Sequence, residues 1–387
     1  MSTVGEGAPT GAMTTIWRRR KILLAGLGVA AGLALAAGVG MGAVPVSPGS
    51  ILRTLGMGPG ILRMGPGAAA GSLEQTIIWQ LRLPRVLLAG LTGGCLGIAG
   101  TLFQALFRNP LADPYLIGAS SGASLGAVLA IVLSLELQLL GLGAVPLLAF
   151  LGSTGTVLLV YHLARERASV SVLALVLAGV AVSAFVSALV SLLTYLTADE
   201  RLHQIVFWLM GGFGTANWRV VRIALPYFAA GMLVAMACAR DLNSLLLGEE
   251  TAHHLGVEVE LAKKVVLATA SLLTGVAVAS GGVIGFVGLV VPHLVRMAGG
   301  PDHRFVIPAA TLGGACTLML ADAVARTVLA PAELPVGLVT AMTGAPFFVY
   351  VLRQRRRLRF FGERTWPAPP RAGPRRQGPQ QVAANRR

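Results

Sequence analysis

Long apolar runs separated by short polar segments dominate the chain. Many of these runs are near the roughly 20 residues that a helix needs to cross the hydrocarbon core of a bilayer. The pattern therefore predicts an all-α, polytopic membrane protein with about ten transmembrane helices per subunit. We place the spans at about residues 22–44, 86–107, 115–134, 143–164, 170–197, 219–238, 265–280, 283–298, 305–328 and 336–352.

Basic clusters predict the orientation of these spans. Trp17 to Lys21 (WRRRK) stands directly before the first span, Arg165 to Arg167 (RER) lies between the fourth and fifth, and RQRRRLR begins at Arg353. Lys and Arg are enriched in loops on the cytoplasmic side of a membrane. We therefore expect both termini to be cytoplasmic.

Composition agrees with a membrane protein and excludes several other classes. The chain has 387 residues, of which 55% are hydrophobic and 12% charged, and its mean hydropathy is +0.74. The net charge of +15 resides in short clusters at span ends and in the tails, so we expect no nucleic-acid partner. Cys95, Cys238 and Cys316 lie far apart in apolar segments, which indicates neither a disulfide framework nor a zinc site.

Outside the spans we expect two tails and one large loop. Residues 1–16 and the Pro/Arg-rich residues 362–387 are predicted to be disordered. Residues 17–361 form the membrane domain. The Gly/Pro-rich segment 45–80 repeats ILR and MGPG and is predicted to be an exterior loop with at most one short helix.

Glycines in the second and third spans predict close helix packing. Their small-xxx-small spacing lets another helix approach the backbone, whereas a phosphate-binding loop would need a preceding strand and a following Lys. These glycines are Gly90, Gly93, Gly94, Gly97, Gly118, Gly122 and Gly126.

One polar stretch, residues 241–264, interrupts the apolar pattern on the predicted cytoplasmic side. Gly248 and Gly256 each follow a few helix-forming residues, which is typical of helix C-termini. The pattern predicts two short helices with an apolar and a polar side; an ordinary polar loop is the alternative. We interpret the inner turns RNPLADP (108–114) and GGPDHR (299–304) as structural, because Pro and Asp suit turns and caps.

Signatures of an enzyme are missing from the sequence. The only lysines are Lys21, Lys263 and Lys264, and none belongs to a phosphate-binding loop. The six histidines are scattered and form no HExxH motif. Asp322, four residues before Arg326, is interpreted as half of an intrahelical ion pair, with a proton relay as the alternative.

Several longer motifs together resemble the permease subunits of bacterial importers for ferric siderophores, haem and cobalamin. The resemblance runs from about Trp79 to Leu352. The motifs are LRLPR (81–85), LFQALFRNPLADPYLIGASSGASLGA (102–127), LGEETAHHLGV (247–257), SGGVIGFVGLVVPHLVR (280–296), ADAVAR (321–326) and ELPVGLVTAMTGAPFF (333–348).

This resemblance implies a permease domain in the bacterial inner membrane, embedded in lipid, that forms a homodimer. It also implies two separate ATP-binding subunits, which use ATP and Mg²⁺, and an extracytoplasmic substrate-binding protein. The chain itself would bind no cofactor and have no ATPase site. We expect a ferric siderophore as cargo, with cobalamin and haem as alternatives. An ion-coupled secondary transporter is the alternative function.

The same resemblance assigns two groups of residues. Arg82, Arg85 and Arg326 would meet acidic residues of the binding protein at the outer mouth. The 241–264 segment, here called the coupling stretch, would dock into the ATPase subunit. Its proposed contact residues are Asn243, Leu247, Gly248, Glu249, Glu250, His253, Leu255, Gly256 and Val257.

Overall fold

The fold is built almost entirely from helices. The structure, a computed structural model, describes residues 10–42, 49, 73–139, 142–166 and 169–362. In chain order, the α-helices of six or more residues are α1 (Thr10–Gly40), α2 (Leu83–Leu106), α3 (Ala119–Val132), α4 (Ala144–Ala164), α5 (Val172–Tyr195), α6 (Asp199–Met210), α7 (Trp218–Ala237), α8 (Ala239–Leu245), α9 (Glu249–His254), α10 (Val259–Gly281), α11 (Val287–Gly299), α12 (His303–Thr327) and α13 (Val336–Gly362).

Shorter elements connect some of these helices. A helical turn (Leu73–Thr76) and a π-helix (Ile77–Arg82) lead into α2, and a 3₁₀ helix (Pro114–Ile117) precedes α3. Two antiparallel hairpins flank α4. They are β1 (Gln138–Leu139) with β2 (Leu142–Gly143), in the register Gln138↔Gly143, and β3 (Arg165–Glu166) with β4 (Ser169–Val170), in the register Arg165↔Val170.

The predicted class is confirmed. Among the described residues, seven helices are long and apolar enough to cross a membrane: α1, α2 with its preceding turns, α4, α5, α7, α10 and α12. The shorter apolar helices α3, α11 and the first part of α13 occupy the other three predicted spans. The number of helices that cross and the side on which the termini lie stay predictions.

The second span begins earlier than predicted. Its helix continues back through the π-helix to Leu73, inside the segment expected to be an exterior loop. Pro84 has no N–H and its ring crowds the carbonyl one turn earlier, so the chain widens locally instead of breaking the helix. Trp79 also ties this turn to α7, because the indole N–H of Trp218 donates to the Trp79 carbonyl at 2.7 Å.

Two further helices differ from the prediction. The amphipathic helix α6 lies in residues 198–218, between the fifth and sixth predicted spans, where no helix was expected. Helix α1 begins at Thr10, inside the segment expected to be disordered. Residues 1–9, 43–48, 50–72 and 363–387, which hold the rest of the predicted tails and exterior loop, lie outside the described residues.

The described part of the chain divides into two compact units, with the boundary between Gly344 and Ala345. In the first unit, α2 is the central helix. In the most apolar stretch of its span, 83% of the residues are buried. The corresponding share is 67% for α10 and α12 and 17% for α1 and α5. Helices α2, α10 and α12 therefore form the interior, while α1 and α5 leave most of their apolar surface for lipid or another chain.

Close glycine packing is confirmed in both predicted spans. A Cβ atom at Gly93 would run into the Gly314 carbonyl of α12, and one at Gly97 would run into the Ala310 carbonyl. Gly122 and Gly126 of α3 meet the backbone of α4 in the same way. Gly118 has another role, because its φ of +83° ends the 3₁₀ helix in the left-handed region. Helices α2 and α12 thus touch backbone to backbone.

Candidate functional site

The coupling stretch folds as predicted, into two short helices and the start of a third. The chain turns at Gly248 with φ of +116° and at Gly256 with φ of +86°. At Gly248 ψ is 154°, and this combination of angles is essentially restricted to glycine. The prediction of glycine-punctuated helices is therefore confirmed, and the ordinary polar loop is excluded.

One side of the stretch is buried and the other is open. Leu245 and Ala252 are 4% and 0% exposed, whereas Leu247 and Leu255 are 67% and 61% exposed. Large exposed leucines next to charged residues are typical of a surface that meets a partner. The exposed polar residues beside them are Glu250, Thr251, His253 and His254.

The second inner turn bonds directly to the coupling stretch. The side-chain amide of Asn243 donates to Asp302 at 2.9 Å, and its oxygen accepts the backbone N–H of His303 at 2.9 Å. Arg20, from the basic cluster of α1, pairs with the other oxygen of Asp302 at 2.7 Å. These contacts place the coupling stretch and the WRRRK cluster at the same end of the helices, here called the inner end.

The first inner turn makes a second attachment. Arg108 pairs with Glu249 at 2.9 Å, and Glu249 also pairs with Lys263 at 2.6 Å. The Arg108 and Glu249 side chains are 40% and 44% exposed. An ion pair between exposed side chains of this kind contributes little to stability.

Cap chemistry at the inner turns agrees with the prediction. Asp113 accepts the N–H of Tyr115 at 2.8 Å, and Asp302 accepts that of Arg304 at 3.1 Å. Burial alone would raise the pKa of Asp302, but the hydrogen bonds from Asn243 and the Arg304 backbone, with the charge of Arg20, lower it overall. Asp302 is therefore held as a carboxylate at neutral pH.

At the opposite, outer end, the three predicted arginines lie together. Arg82 donates to the Val39 and Gly40 carbonyls at 2.9 Å, and Arg326 donates to the Gly38 carbonyl at 2.9 Å. The last carbonyls of a helix have no partner within it and carry partial negative charge. Arg82 and Arg326 therefore cap the C-terminus of α1.

A buried carboxylate joins two of these arginines. Asp322 is 0% exposed and lies 2.9 Å from Arg85 and 3.0 Å from Arg326. The intrahelical ion pair with Arg326 is confirmed. Arg85 also pairs with Glu333 at 2.9 Å, and the Glu333 side chain is 49% exposed. We call Arg82, Arg85, Asp322, Arg326 and Glu333 the outer cluster.

Sequence reasoning missed Glu333 and the link from Asp322 to Arg85. The only sequence signal for Glu333 was its position in PAELPVG (331–337), which joins the ninth and tenth predicted spans. The side chains of Arg85 and Arg326 are 13% and 5% exposed, and Arg82 as a residue is 5% exposed. Contact with a binding protein stays a prediction for all three, and the charges most open to solvent are those of Arg85 and Glu333.

An outer cavity adjoins this cluster and was also missed. Its volume is about 680 Å³, within the range of about 300–1,000 Å³ common for small-molecule sites. Helix α6 and the glycine-rich turn after it supply much of the wall. The lining includes Arg85, Phe207, Trp208, Asn217, Gly282 and Glu333. Within the described residues, no group of three or more His, Cys, Asp or Glu is arranged to hold a metal ion.

Comparison with known proteins adds a consistent set of similarities. The FecCD transport family matches residues 28–354. The chain is 47% identical over 281 residues to the hemin transport system permease protein HmuU of Yersinia pestis, covering 72% of this chain and 84% of that protein. It is 42% identical over 300 residues to the vitamin B12 import system permease protein BtuC of Escherichia coli O9:H4, covering 76% and 89%.

A solved structure is similar along most of its length. It is described as an inward-facing conformation of a putative metal-chelate type ABC transporter. The TM-score is 0.73 at 33% sequence identity, and the match covers 86% of this chain and 99% of that one.

Proposed function

Because the chain belongs to the FecCD transport family, we propose that it forms the membrane path of an ATP-driven importer for a metal chelate. Separate subunits hydrolyse the ATP, and this chain converts their movement into alternating access. The observation that carries the proposal is the coupling stretch, with Leu247 and Leu255 exposed at the inner end. Two glycine turns with positive φ angles hold these leucines outward, as docking into a groove of the ATPase requires.

The outer cluster supports docking of a substrate-binding protein at the other end. Arg85 has the most exposed side chain of the three arginines and can therefore reach a carboxylate of a partner. In the structure it pairs with Glu333, which is itself half exposed. We propose that Arg85 makes the contact and that Arg82 and Arg326 support it by holding the end of α1. Charges at the edge of an interface mainly set the association rate and the orientation.

We also propose a homodimer in the bacterial inner membrane. The apolar side chains of Leu173, Leu177 and Phe185 on α5 are 68%, 61% and 66% exposed. Such surface requires lipid or a second copy of the chain. Native mass spectrometry of the permease in nanodiscs gives the copy number directly, and a monomer in the complete importer would contradict the proposal.

The cargo is proposed as a class, a metal chelate, with a ferric siderophore as the specific candidate from the sequence. The two named relatives are a hemin permease and a vitamin B12 permease, so haem and cobalamin belong in the same test. The described residues do not favour an ion-coupled secondary transporter. Asp322, the buried acid considered as a proton relay, is paired with two arginines.

Reconstitution tests the function. Permease, ATP-binding subunits and binding protein are placed together in proteoliposomes, and uptake of ferric siderophore, haem and cobalamin is measured with and without ATP. We expect uptake of one chelate that strictly requires ATP and both partners. Uptake driven by a proton or sodium gradient without the ATPase would refute the proposal.

A pair of matched substitutions tests the coupling stretch. Gly248 and Gly155 both have room for a methyl group, but only Gly248 has a backbone conformation that excludes alanine. Gly248→Ala should therefore weaken ATPase binding and uptake, while Gly155→Ala leaves both unchanged. Equal activity of the two variants would show that the shape of this turn does not matter for coupling.

A further inference from the structure

The coupling stretch is attached at two points to one pair of helices. Asn243 of α8 bonds to Asp302 and His303, where α12 begins. Glu249 of α9 pairs with Arg108, which follows the end of α2 at Leu106. Both attachments therefore lead to the inner ends of α2 and α12.

Helices α2 and α12 are packed so closely that they should move together. Gly93 lies against the carbonyl of Gly314, and Gly97 lies against that of Ala310, with no side chain between the backbones. Backbone contacts of this kind cannot adjust by changing rotamers, and closely packed interiors transmit displacement. A displacement applied to the start of α12 should therefore move the pair as one body.

The two attachments differ in strength. The side chains of the Arg108–Glu249 pair are 40% and 44% exposed, and a pair this open to solvent contributes little. The Asn243–Asp302 bond uses a charged acceptor, which strengthens it, and Arg20 holds the same carboxylate at 2.7 Å with side chains only 13% and 23% exposed. Asn243 and Asp302 therefore form the stronger attachment.

We propose that the Asn243–Asp302 bond is the joint through which movement of the coupling stretch reaches α12, which makes both residues positioning residues for transport. The proposal rests on the proposed function. Helix α12 has 25 residues, about 37 Å at 1.5 Å per residue. Its far end carries Asp322 and Arg326, so one helix would connect the ATPase side to the outer cluster.

Exchanging the two side chains distinguishes a joint from a merely structural contact. Asn243→Asp places two carboxylates together, and Asp302→Asn removes the charged acceptor while keeping a residue that caps helices well. The double variant Asn243→Asp/Asp302→Asn restores one amide facing one carboxylate. A joint predicts that both single variants are defective and that the double variant recovers part of the loss, since Arg20 no longer has a carboxylate partner at position 302.

The measurement is chelate imported per ATP hydrolysed, made on the complete purified importer in proteoliposomes with whichever of ferric siderophore, haem and cobalamin the wild type imports. We expect Asn243→Asp to lower this ratio by about fivefold or more, the lower end of typical coupling between distant sites. The ATPase subunits should stay bound in Asp302→Asn, because Asp302 lies outside the coupling stretch, and size-exclusion chromatography would show this. If Asn243→Asp does not fold, Asp302→Asn and the double variant still give the comparison.

Neighbouring arginines provide a matched control. Arg20→Gln removes the second partner of Asp302 and should lower the ratio. Arg19 is exposed and has no hydrogen bond or ion pair with the described part of the chain, so Arg19→Gln should leave the ratio unchanged.

Two results would overturn the joint. One is a normal ratio in both single variants; the other is a double variant as defective as Asn243→Asp. Either result, in a wild-type importer that couples uptake to ATP, refutes the joint and leaves the proposed function intact. A wild type without ATP-dependent uptake refutes both.

Discussion

Replacing Asp322 by Asn tests whether the outer cluster holds the fold together. The substitution keeps the side-chain volume and removes the charge that Arg85 and Arg326 share. Arg85 keeps its ion pair with Glu333, whose side chain is half exposed, so the charge of Arg85 still has a partner. Arg326 is 5% exposed, and its remaining partners within the described residues are neutral backbone carbonyls, those of Gly38, Met41 and Asp322.

Removing one partner of a buried ion pair costs about 3–5 kcal/mol. Because both arginines keep other partners, we expect the free energy of unfolding to fall by an amount at the lower end of this range, about 3 kcal/mol. Adding Arg326→Gln should recover part of this loss, because it removes the unpaired charge and keeps a donor for the α1 carbonyls. The double variant should therefore be more stable than the sum of the single effects predicts.

Thermal unfolding of the purified permease in nanodiscs, followed by tryptophan fluorescence, measures these stabilities. Asp199→Asn is the matched control, since Asp199 is exposed in the first turn of α6 and has no hydrogen bond or ion pair within the described residues. A loss for Asp322→Asn within about 0.5 kcal/mol of this control, the usual range for surface substitutions, would refute the reasoning. Strict additivity in the double variant would refute it as well.

Three further predictions address other parts of the molecule. Gly93→Ala should destabilise the fold by about 1–3 kcal/mol through overpacking against α12, whereas Gly155→Ala should be neutral; equal melting temperatures would contradict the backbone contact. The lowered pKa of Asp302 stabilises the fold at pH values above the ordinary Asp pKa, and this stabilisation is lost as pH falls through the folded pKa. The stability gap between wild type and Asp302→Asn should therefore shrink from pH 7 to pH 3, and a constant gap would exclude the carboxylate as its source. Arg85→Glu should slow association of the binding protein and reduce its salt dependence, while Glu333→Gln should speed association; unchanged kinetics in both would remove Arg85 from the docking surface.

The sequence was sufficient wherever a feature depends on local periodicity or backbone conformation. The apolar runs located the spans to within a few residues at most ends, because a bilayer requires a long apolar helix wherever the chain crosses it. Gly248 and Gly256 marked the turns of the coupling stretch, because their positive φ angles favour glycine. The glycine spacing in the second span likewise predicted close packing. Local pattern failed at Pro84, where widening to a π-helix let the helix continue, and at α6, an amphipathic helix of 12 residues that is too short to be recognised as a span.

Only the tertiary structure decided which residues meet across distance in the sequence. Arg85 and Asp322 are 237 positions apart, and Asn243 and Asp302 are 59 apart. No local pattern encodes these pairs, because each depends on the relative position of two packed helices along their axes. For Arg85 and Asp322, the crossing of α2 with α12 at Gly93 and Gly314 sets that position. Tertiary packing also decided the role of Arg82 and Arg326, which were expected at the outer mouth. Both are buried and donate to carbonyls at the end of α1, because a helix end inside a membrane protein needs hydrogen-bond partners within the protein.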